Sequence, residues 1–426
     1  VRSEFTGYSG VAGEGRVAAL LRDGAVVEEL NAGEGGEVVL DSTSFYPESG
    51  GQVGDTGTLG AGSARFTVTD TQKRGTAVSH IGKLDSGALR VGTVMLSQVD
   101  SARRDAVRLN HSATHLLHAA LRKVLGNHVT QKGSLVAPDR LRFDFAHFQA
   151  ITPDELRQIE SLVNEQIRGN ALAVTRLMDY EQAVASGAMA LFGEKYEAKV
   201  RVLSIGEFST ELCGGTHVQR AGDIGLLRIT SESGVAAGVR RIEAVTGQAA
   251  LDHITRNEGK LREVAALVRG SADDVTEKVR EQVERVRTLE KEIRSLKDRL
   301  ASGQGTDLAA SAITVGNSKV LVAKVEAADA ASLRTAIDQL KSRLGSAVIV
   351  LASAESATKV SIVAGVTSDL VGRVKAGEIV SVLAAKLGGK GGGRPDFAQG
   401  GGTNTQQLEA ALAETVGTIS TRIAGG

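Results

Sequence analysis

Apolar and polar residues alternate along much of the first hundred positions. "ARFTVTDTQ" (64–72) and "VGTVMLSQVD" (91–100) read as half-buried strands. "GEVVLDSTSFYPESGGQVGDTGTL" (36–59) reads as a strand followed by glycine-punctuated turns. The pattern predicts a small, strongly bent β-structure over 1–100. From Asp100 the period changes. "DSARRDAVRLNHSATHLLHAALRKVLG" carries Val107, Leu117, Leu121 and Val124 on a helical repeat, with Asp100 or Ser101 as cap and Gly126 as stop. A second helix starts at "ITPDELRQIESLVNEQI". Thr152 is its N-cap, Pro153 takes the first position, Glu155 completes a capping box, and Ile151 and Leu156 form a staple. Strands follow at "KVRVLSIG", "GLLRITSES" and "VRRIEAVTG".

Beyond residue 250 the pattern is heptad. Val279, Val286, Ile293 and Leu300 are seven apart, and Val275, Gln282, Leu289 and Leu296 form a second row. A helix from Asp274 to Leu300 would be about 40 Å long at 1.5 Å per residue, ending at "ASGQGTD". Three packings fit it: an amphipathic helix on its own domain, an antiparallel hairpin with the helix after Gln248, or a dimer seam. Residues 311–426 alternate β and α: "SKVLVAKVEA", "DAASLRTAIDQLKSRLG", "SAVIVLASA" and "TKVSIVAGV" predict an α/β sandwich. The fold class is α+β. Its parts are a glycine-rich β lobe (1–100), an α/β zinc-binding lobe (101–250), a coiled-coil helical linker (251–305) and a small C-terminal α/β domain (306–426).

Composition narrows the function. Hydrophobic content of 42% is ordinary for a globular chain, and 50 basic residues balance 50 acidic ones, so nucleic-acid binding must come from local patches. One cysteine excludes an intramolecular disulfide and fits a reducing cytoplasm. No apolar run is long enough to predict a membrane span. The chain begins at Val1 rather than Met, from which a missing N-terminal part is expected.

The chemistry concentrates in two short motifs. In "HSATH", His111 and His115 share a helix face. Alone they suit a packed histidine pair as well as a metal. In "ELCGGTHVQ", Cys213 and His217 flank a glycine turn. Together the four residues supply three imidazoles and a thiolate, a donor set that suits tetrahedral Zn2+. His118 is the spare, a packed helix histidine.

"NHSATHLLHAALRKVLGNHVTQKGSLVAPDRLRFDF", "ELCGGTHVQRAGDIG" and "GVRRIEAVTG" resemble the editing domain of the alanyl-tRNA synthetases (alanine–tRNA ligases). "FYPESGGQVGDTG" resembles the glycine-rich segment before that domain. "GGKGGGRPDFAQGGG" resembles the core of that family's C-terminal domain, a module also attached to DHH-type phosphoesterases. The resemblance implies that His111, His115, Cys213 and His217 bind zinc and that Thr114 and Gln131 line the editing pocket. It implies hydrolysis of Ser-tRNA(Ala) and Gly-tRNA(Ala), with zinc polarising the ester carbonyl, acidifying water or orienting the substrate. The ligase domain, with its ATP and Mg2+, is expected to lie outside this chain. On the same resemblance the C-terminal domain grips tRNA.

Residues 311–426 hold 12 Lys plus Arg against 9 Asp plus Glu, a mild surplus of 3. Lys386, Lys390 and Arg394 sit among glycines that would let backbone amides approach a phosphate, and Phe397 could stack on a base. A flexible linker is the competing reading of that segment. Arg240 and Arg241 are further tRNA candidates, of which a strand can point only one at the site, a salt bridge to Glu243 being the alternative. Three functions remain in play: the editing half of the ligase, a free-standing trans-editing deacylase, or a non-enzymatic zinc-stapled tRNA-binding or oligomerisation module. The long coil, the C-terminal domain and the absent start Met favour the first. A homodimer through the coiled coil and C-terminal domain is a further partner reading.

Overall fold

The computed structural model describes residues 1–189, 198–326 and 328–425, with the backbone alone over 298–307. The chain forms two compact units, Val1–Leu261 and Arg262–Gly426. The break falls eleven residues beyond the boundary expected at 250.

The first unit opens with an antiparallel barrel. Its strands are β1 (Ala12–Arg22), β2 (Gly35–Leu40), β3 (Gly57–Ala61), β4 (Ala64–Arg74), β5 (Ala77–Ser86) and β6 (Val94–Val99), in spatial order β6-β3-β4-β5-β2-β1. The ring closes where Val94 pairs with Arg16 and Gln98 with Ala12. Closure pairs the first and last of these strands, and a short strand at Ala25–Val27 adds to the end of β1. The inward positions of the alternating strands fill the interior with Leu20, Leu40, Leu59, Phe66, Leu84 and Met95.

α1 (Ser101–Leu125) leaves the barrel directly. Asp100 caps it by accepting from the Arg103 amide, and Gly126, at φ 114°, ends it. It packs with α2 (Pro153–Gly169) against a sheet of β7 (Gln131–Val136), β8 (Leu141–Ala146), β12 (Leu227–Ala236) and β13 (Val239–Thr246), in order β7-β8-β13-β12. The expected box is present at α2: Thr152 and Glu155 bond reciprocally, while Ile151 and Leu156 enter the same apolar cluster. A second sheet, β9 (Ala173–Asp179), β10 (Lys199–Ile205) and β11 (Ser209–Leu212), carries the chain back to α1. A short helix, α3 (Tyr180–Ala185), follows β9, and α4 (Gly247–Leu267) follows β13.

α1 is fixed to the barrel by a buried charge pair. Arg104, fully buried, donates from Nε to both carboxylate oxygens of Asp55 at 3.0 Å, from Nη1 to Gly7 O at 3.0 Å and from Nη2 to Ser44 O at 2.8 Å. Each guanidinium nitrogen therefore finds an acceptor where water cannot reach.

The second unit begins within the end of α4, at Arg262, and continues with α5 (Val275–Ala310). The helix runs through "ASGQGTD" instead of ending there. Leu308 and Ala309 join the core beneath α6, and this packing outweighs the roughly 1 kcal/mol that each glycine costs a helix. Val279, Val286, Leu289, Ile293 and Leu296 are exposed; Leu300 lies outside the described side chains. A six-stranded sheet follows, built from β14 (Ile313–Val315), β15 (Ser318–Lys324), β16 (Ala347–Ser356), β17 (Lys359–Val366), β18 (Lys390–Gly393) and β19 (Phe397–Gly402), in order β14-β15-β16-β17-β19-β18. Only β15 and β16 run parallel, joined by α6 (Ala330–Leu344). Ile349 and Leu351 face α6, while Val348 and Val350 face the opposite core shared with α7 (Ala376–Lys386) and α8 (Leu408–Ala424). The sheet is covered on both faces, as the alternating sequence pattern predicts.

Candidate metal centre and its cavity

The buried middle of α1 turns His111 and His115 to one side. Across from them, β11 ends at Leu212 and the chain turns through Cys213, Gly214 and Gly215 to His217. The ligand atoms of His111, His115, Cys213 and His217 all lie within 4.8 Å of one another. Cys213 Sγ is 3.4 Å from His111 Nε2 and 3.2 Å from His217 Nε2.

Outer partners orient each ring so that its Nε2 faces the cluster. His111 Nδ1 bonds Gln52 Oε1 at 2.8 Å, His115 Nδ1 bonds Glu211 Oε2 at 2.7 Å, and His217 Nδ1 lies 3.3 Å from Ser112 Oγ. His115 Nε2 is buried without a hydrogen-bond partner, as a nitrogen awaiting a metal would be. Three imidazoles with their second nitrogens held, around one thiol, are the donors and supports that a tetrahedral zinc site requires.

Gly215 is dictated by contact. A Cβ there would lie 2.1 Å from His111 Cε1 and 2.9 Å from Gln52 Oε1. The turn is fastened from outside as well: Tyr8 Oη donates to Gly214 O at 2.7 Å, and the Arg201 guanidinium lies 3.3 Å from the centre of the Tyr8 ring.

The charges of the metal-free cluster follow from these neighbours. Burial opposes a Cys213 thiolate, yet His111, His217 and His115 hold its pKa well below the ordinary thiol value. Burial opposes protonation of His115, but Glu211 and Cys213 outweigh it and raise its pKa to about 10. Burial likewise opposes ionisation of Glu211, and His115 and His118 hold its pKa down at about 2. Burial lowers His217 to about 4, leaving it neutral. A metal entering the cluster therefore meets a thiolate ready to bind and displaces a proton from His115.

The cluster opens on a cavity of about 420 Å³. His111, His115 and Cys213 form part of its wall, and Thr114 and Gln131 line the same space. Thr114 Oγ1 donates to Asn110 O at 2.8 Å, so what it offers the cavity is its lone pairs. Lys73, Lys199 and Arg201 also line the cavity, and no carboxylate does among the described residues.

His118 sits outside the ligand set. Its Nδ1 bonds the other oxygen of Glu211 at 3.1 Å and it is 2% exposed. Glu211 thus orients two histidines at once. It and Gln52 escaped sequence reasoning, because no local spacing links either residue to α1.

The other candidates lie apart. Arg241 makes a two-pronged pair with Asp144 at 2.7 and 2.9 Å, and Arg240 bonds Glu232 at 2.5 Å. The alternative of a bridge to Glu243 is not what forms, because cross-strand neighbours supply nearer acids, and neither arginine lines the cavity. "GGKGGGRPDFAQGGG" is no linker: it is the β18–β19 hairpin at the sheet edge. Its glycines serve close packing. A Cβ on Gly391 would lie 2.6 Å from Val380 Cγ1 and 2.7 Å from Gly400 Cα. Lys386 pairs with Glu414, Arg394 with Asp396 at 3.2 Å, and Lys390 is exposed on β18. Phe397 is half-buried against α6 with Arg334 4.9 Å above its ring, so one face of that ring is already covered.

Comparison with known proteins places these elements in a family context. Residues 1–103, the barrel, match the family described as tRNA synthetases class II (A). Residues 200–243, which hold Cys213 and His217, match the threonyl and alanyl tRNA synthetase second additional domain. Residues 317–421 match the DHHA1 domain. The solved C-Ala domain of Aquifex aeolicus alanyl-tRNA synthetase is 27% identical, over 26% of this chain and 97% of that one, with a TM-score of 0.24. The family matches bear out the resemblance to alanyl-tRNA synthetases.

Proposed function

We propose that the cavity hydrolyses aminoacyl esters of tRNA, removing serine or glycine wrongly attached to tRNA(Ala). The observation that carries this reading is the sharing of one space: Thr114 and Gln131 face the same 420 Å³ cavity as His111, His115 and Cys213. A stapling site for a purely structural metal needs no adjoining cavity of that size. A site built to discriminate does, because an apolar synthetic pocket rejects an added hydroxyl by only about 100-fold and a second site must remove the error.

His111, His115, Cys213 and His217 would hold Zn2+. When bound, the metal supplies a Lewis acid beside the ester. The protein's own groups do the rest. Thr114 accepts a hydrogen bond from the substrate's ammonium or side-chain hydroxyl, since its own proton is committed to Asn110 O. Gln131, on β7, can donate and accept at once and so can engage a serine hydroxyl that alanine lacks. Lys73, Lys199 and Arg201 line the cavity with positive charge suited to the polyanionic end of an RNA.

Within the same reading, the C-terminal unit binds the body of the tRNA. Lys390 and Arg394 at the hairpin edge are exposed candidate contacts. The exposed apolar row Val279, Val286 and Ile293 on α5 is where a second copy would pair. The lone thiol suits a reducing cytoplasm.

The test is the rate of serine release from Ser-tRNA(Ala). His115→Ala is expected to lose zinc and activity together, and Thr114→Val to keep zinc and lose activity. Undiminished rates in both, with folding intact, would overturn the assignment.

A further inference from the structure

A second, smaller cavity of about 100 Å³ lies beside the first and shares Tyr8, Arg201 and Gly215 with it. Arg108, Thr175, Thr216 and His217 complete its wall. His217 is the one member of the metal cluster that lines it, so the cluster borders both cavities.

Two arginines, Arg108 and Arg201, line this space. The Nε atoms of Arg108 and Arg201 are both buried without a partner. A buried donor on a charged group is costly to leave unsatisfied. Arg108 has one ion pair, to the exposed Asp105 on its own helix at 3.0 Å. Arg201 has no acid within ion-pair distance among the described residues, and rests on the Tyr8 ring. Thr175 and Thr216 add hydroxyls, and no carboxylate lines the space among the described residues. The volume suits a group the size of a phosphate.

We propose that Arg108 and Arg201 form a phosphate site that takes a backbone phosphodiester near the 3′ end of the RNA whose ester lies in the larger cavity. The inference rests on the deacylase reading for the identity of the RNA, but the anion chemistry stands on the two arginines. Guanidinium groups bind phosphate oxygens through paired N–H donors, and such charge-assisted bonds are roughly twice as strong as neutral ones. Arg108 touches neither the metal cluster nor the larger cavity, so it acts as a positioning residue.

The experiment uses the full zinc-loaded chain and compares wild type with Arg108→Gln. Three probes are applied: Ser-tRNA(Ala), seryl-adenosine (which carries the ester but no phosphate) and the tetranucleotide ACCA. Arg108→Gln is expected to raise KM for Ser-tRNA(Ala) by about ten- to a hundredfold with kcat retained. It should weaken ACCA binding by a similar factor and leave seryl-adenosine hydrolysis unchanged. Unchanged KM and unchanged ACCA binding would overturn the proposal, as would equal losses on Ser-tRNA(Ala) and seryl-adenosine. Inorganic phosphate separates the sources: tight phosphate binding that depends on Arg108, without ACCA binding, would overturn the RNA assignment. If the wild type hydrolyses neither ester while ACCA binding still depends on Arg108, the deacylase reading fails and the phosphate site stands.

Discussion

Glu211 Oε2 lies 2.7 Å from His115 Nδ1, and its other oxygen lies 3.1 Å from His118 Nδ1. One buried carboxylate thus sets the tautomer and direction of two α1 histidines, only one of which faces the metal cluster. Glu211→Gln keeps the shape but can accept through only one oxygen. Zinc affinity is expected to fall by about 10–100-fold, read by chelator competition. His118→Ala should have a smaller effect, because it acts on His115 only through Glu211.

Gly215→Ala tests the turn. The added methyl would meet His111 Cε1 at 2.1 Å, so either the ring or the loop must move. Zinc content should drop sharply while circular dichroism stays that of the folded chain. Gly214→Ala is the control: its Cβ meets nothing within 4 Å. If both variants retain zinc equally, the turn does not constrain His111.

Acid should weaken the barrel through His80. This side chain is fully buried, with Nδ1 2.7 Å from Val38 O and Nε2 2.7 Å from Thr43 Oγ1. Burial lowers its pKa from 6.5 to about 4. Between those values the unfolded chain binds a proton that the folded chain refuses, so stability is complete above pH 6.5 and falls toward pH 4. The loss by pH 4.5 is about 2–3 kcal/mol. Urea unfolding at pH 7.5 and 4.5 should show this slope, and His80→Leu should flatten it.

Breaking the Arg104–Asp55 pair should be costly. Arg104→Met leaves Asp55 charged, buried and short of its partner, with an expected loss of about 3–5 kcal/mol in denaturant unfolding. The double variant Arg104→Met with Asp55→Leu removes both charges and should recover part of that loss. Full recovery is not expected, because Asp55 also accepts from the Tyr46 amide.

Local chemistry was legible in the sequence wherever its cause was local. The Thr152–Glu155 box, the Asp100 cap and the Gly126 stop depend on neighbours a few residues away. So does the shared face of His111 and His115. The pairing of "HSATH" with "ELCGGTH" came from counting donors rather than from spacing. What remained hidden depends on distant contacts. Gln52 meets His111 from the barrel, and Glu211 meets His115 from a strand 96 residues on. The helix through "ASGQGTD" was misjudged because its apolar partners are on α6. The packing role of the hairpin glycines is equally non-local, because their neighbour Val380 lies on α7.

The barrel's bonds to α1 bear on how this protein can be divided. A cut at residue 100 looks natural by composition, yet it would sever Gln52 from His111 and Asp55 from Arg104. The barrel holds one metal-ligand ring in place and neutralises the buried charge at the base of the helix that carries it. The two parts are therefore one mechanical unit: α1 carries the donors, and the barrel carries the groups that aim His111 and hold the charge of Arg104.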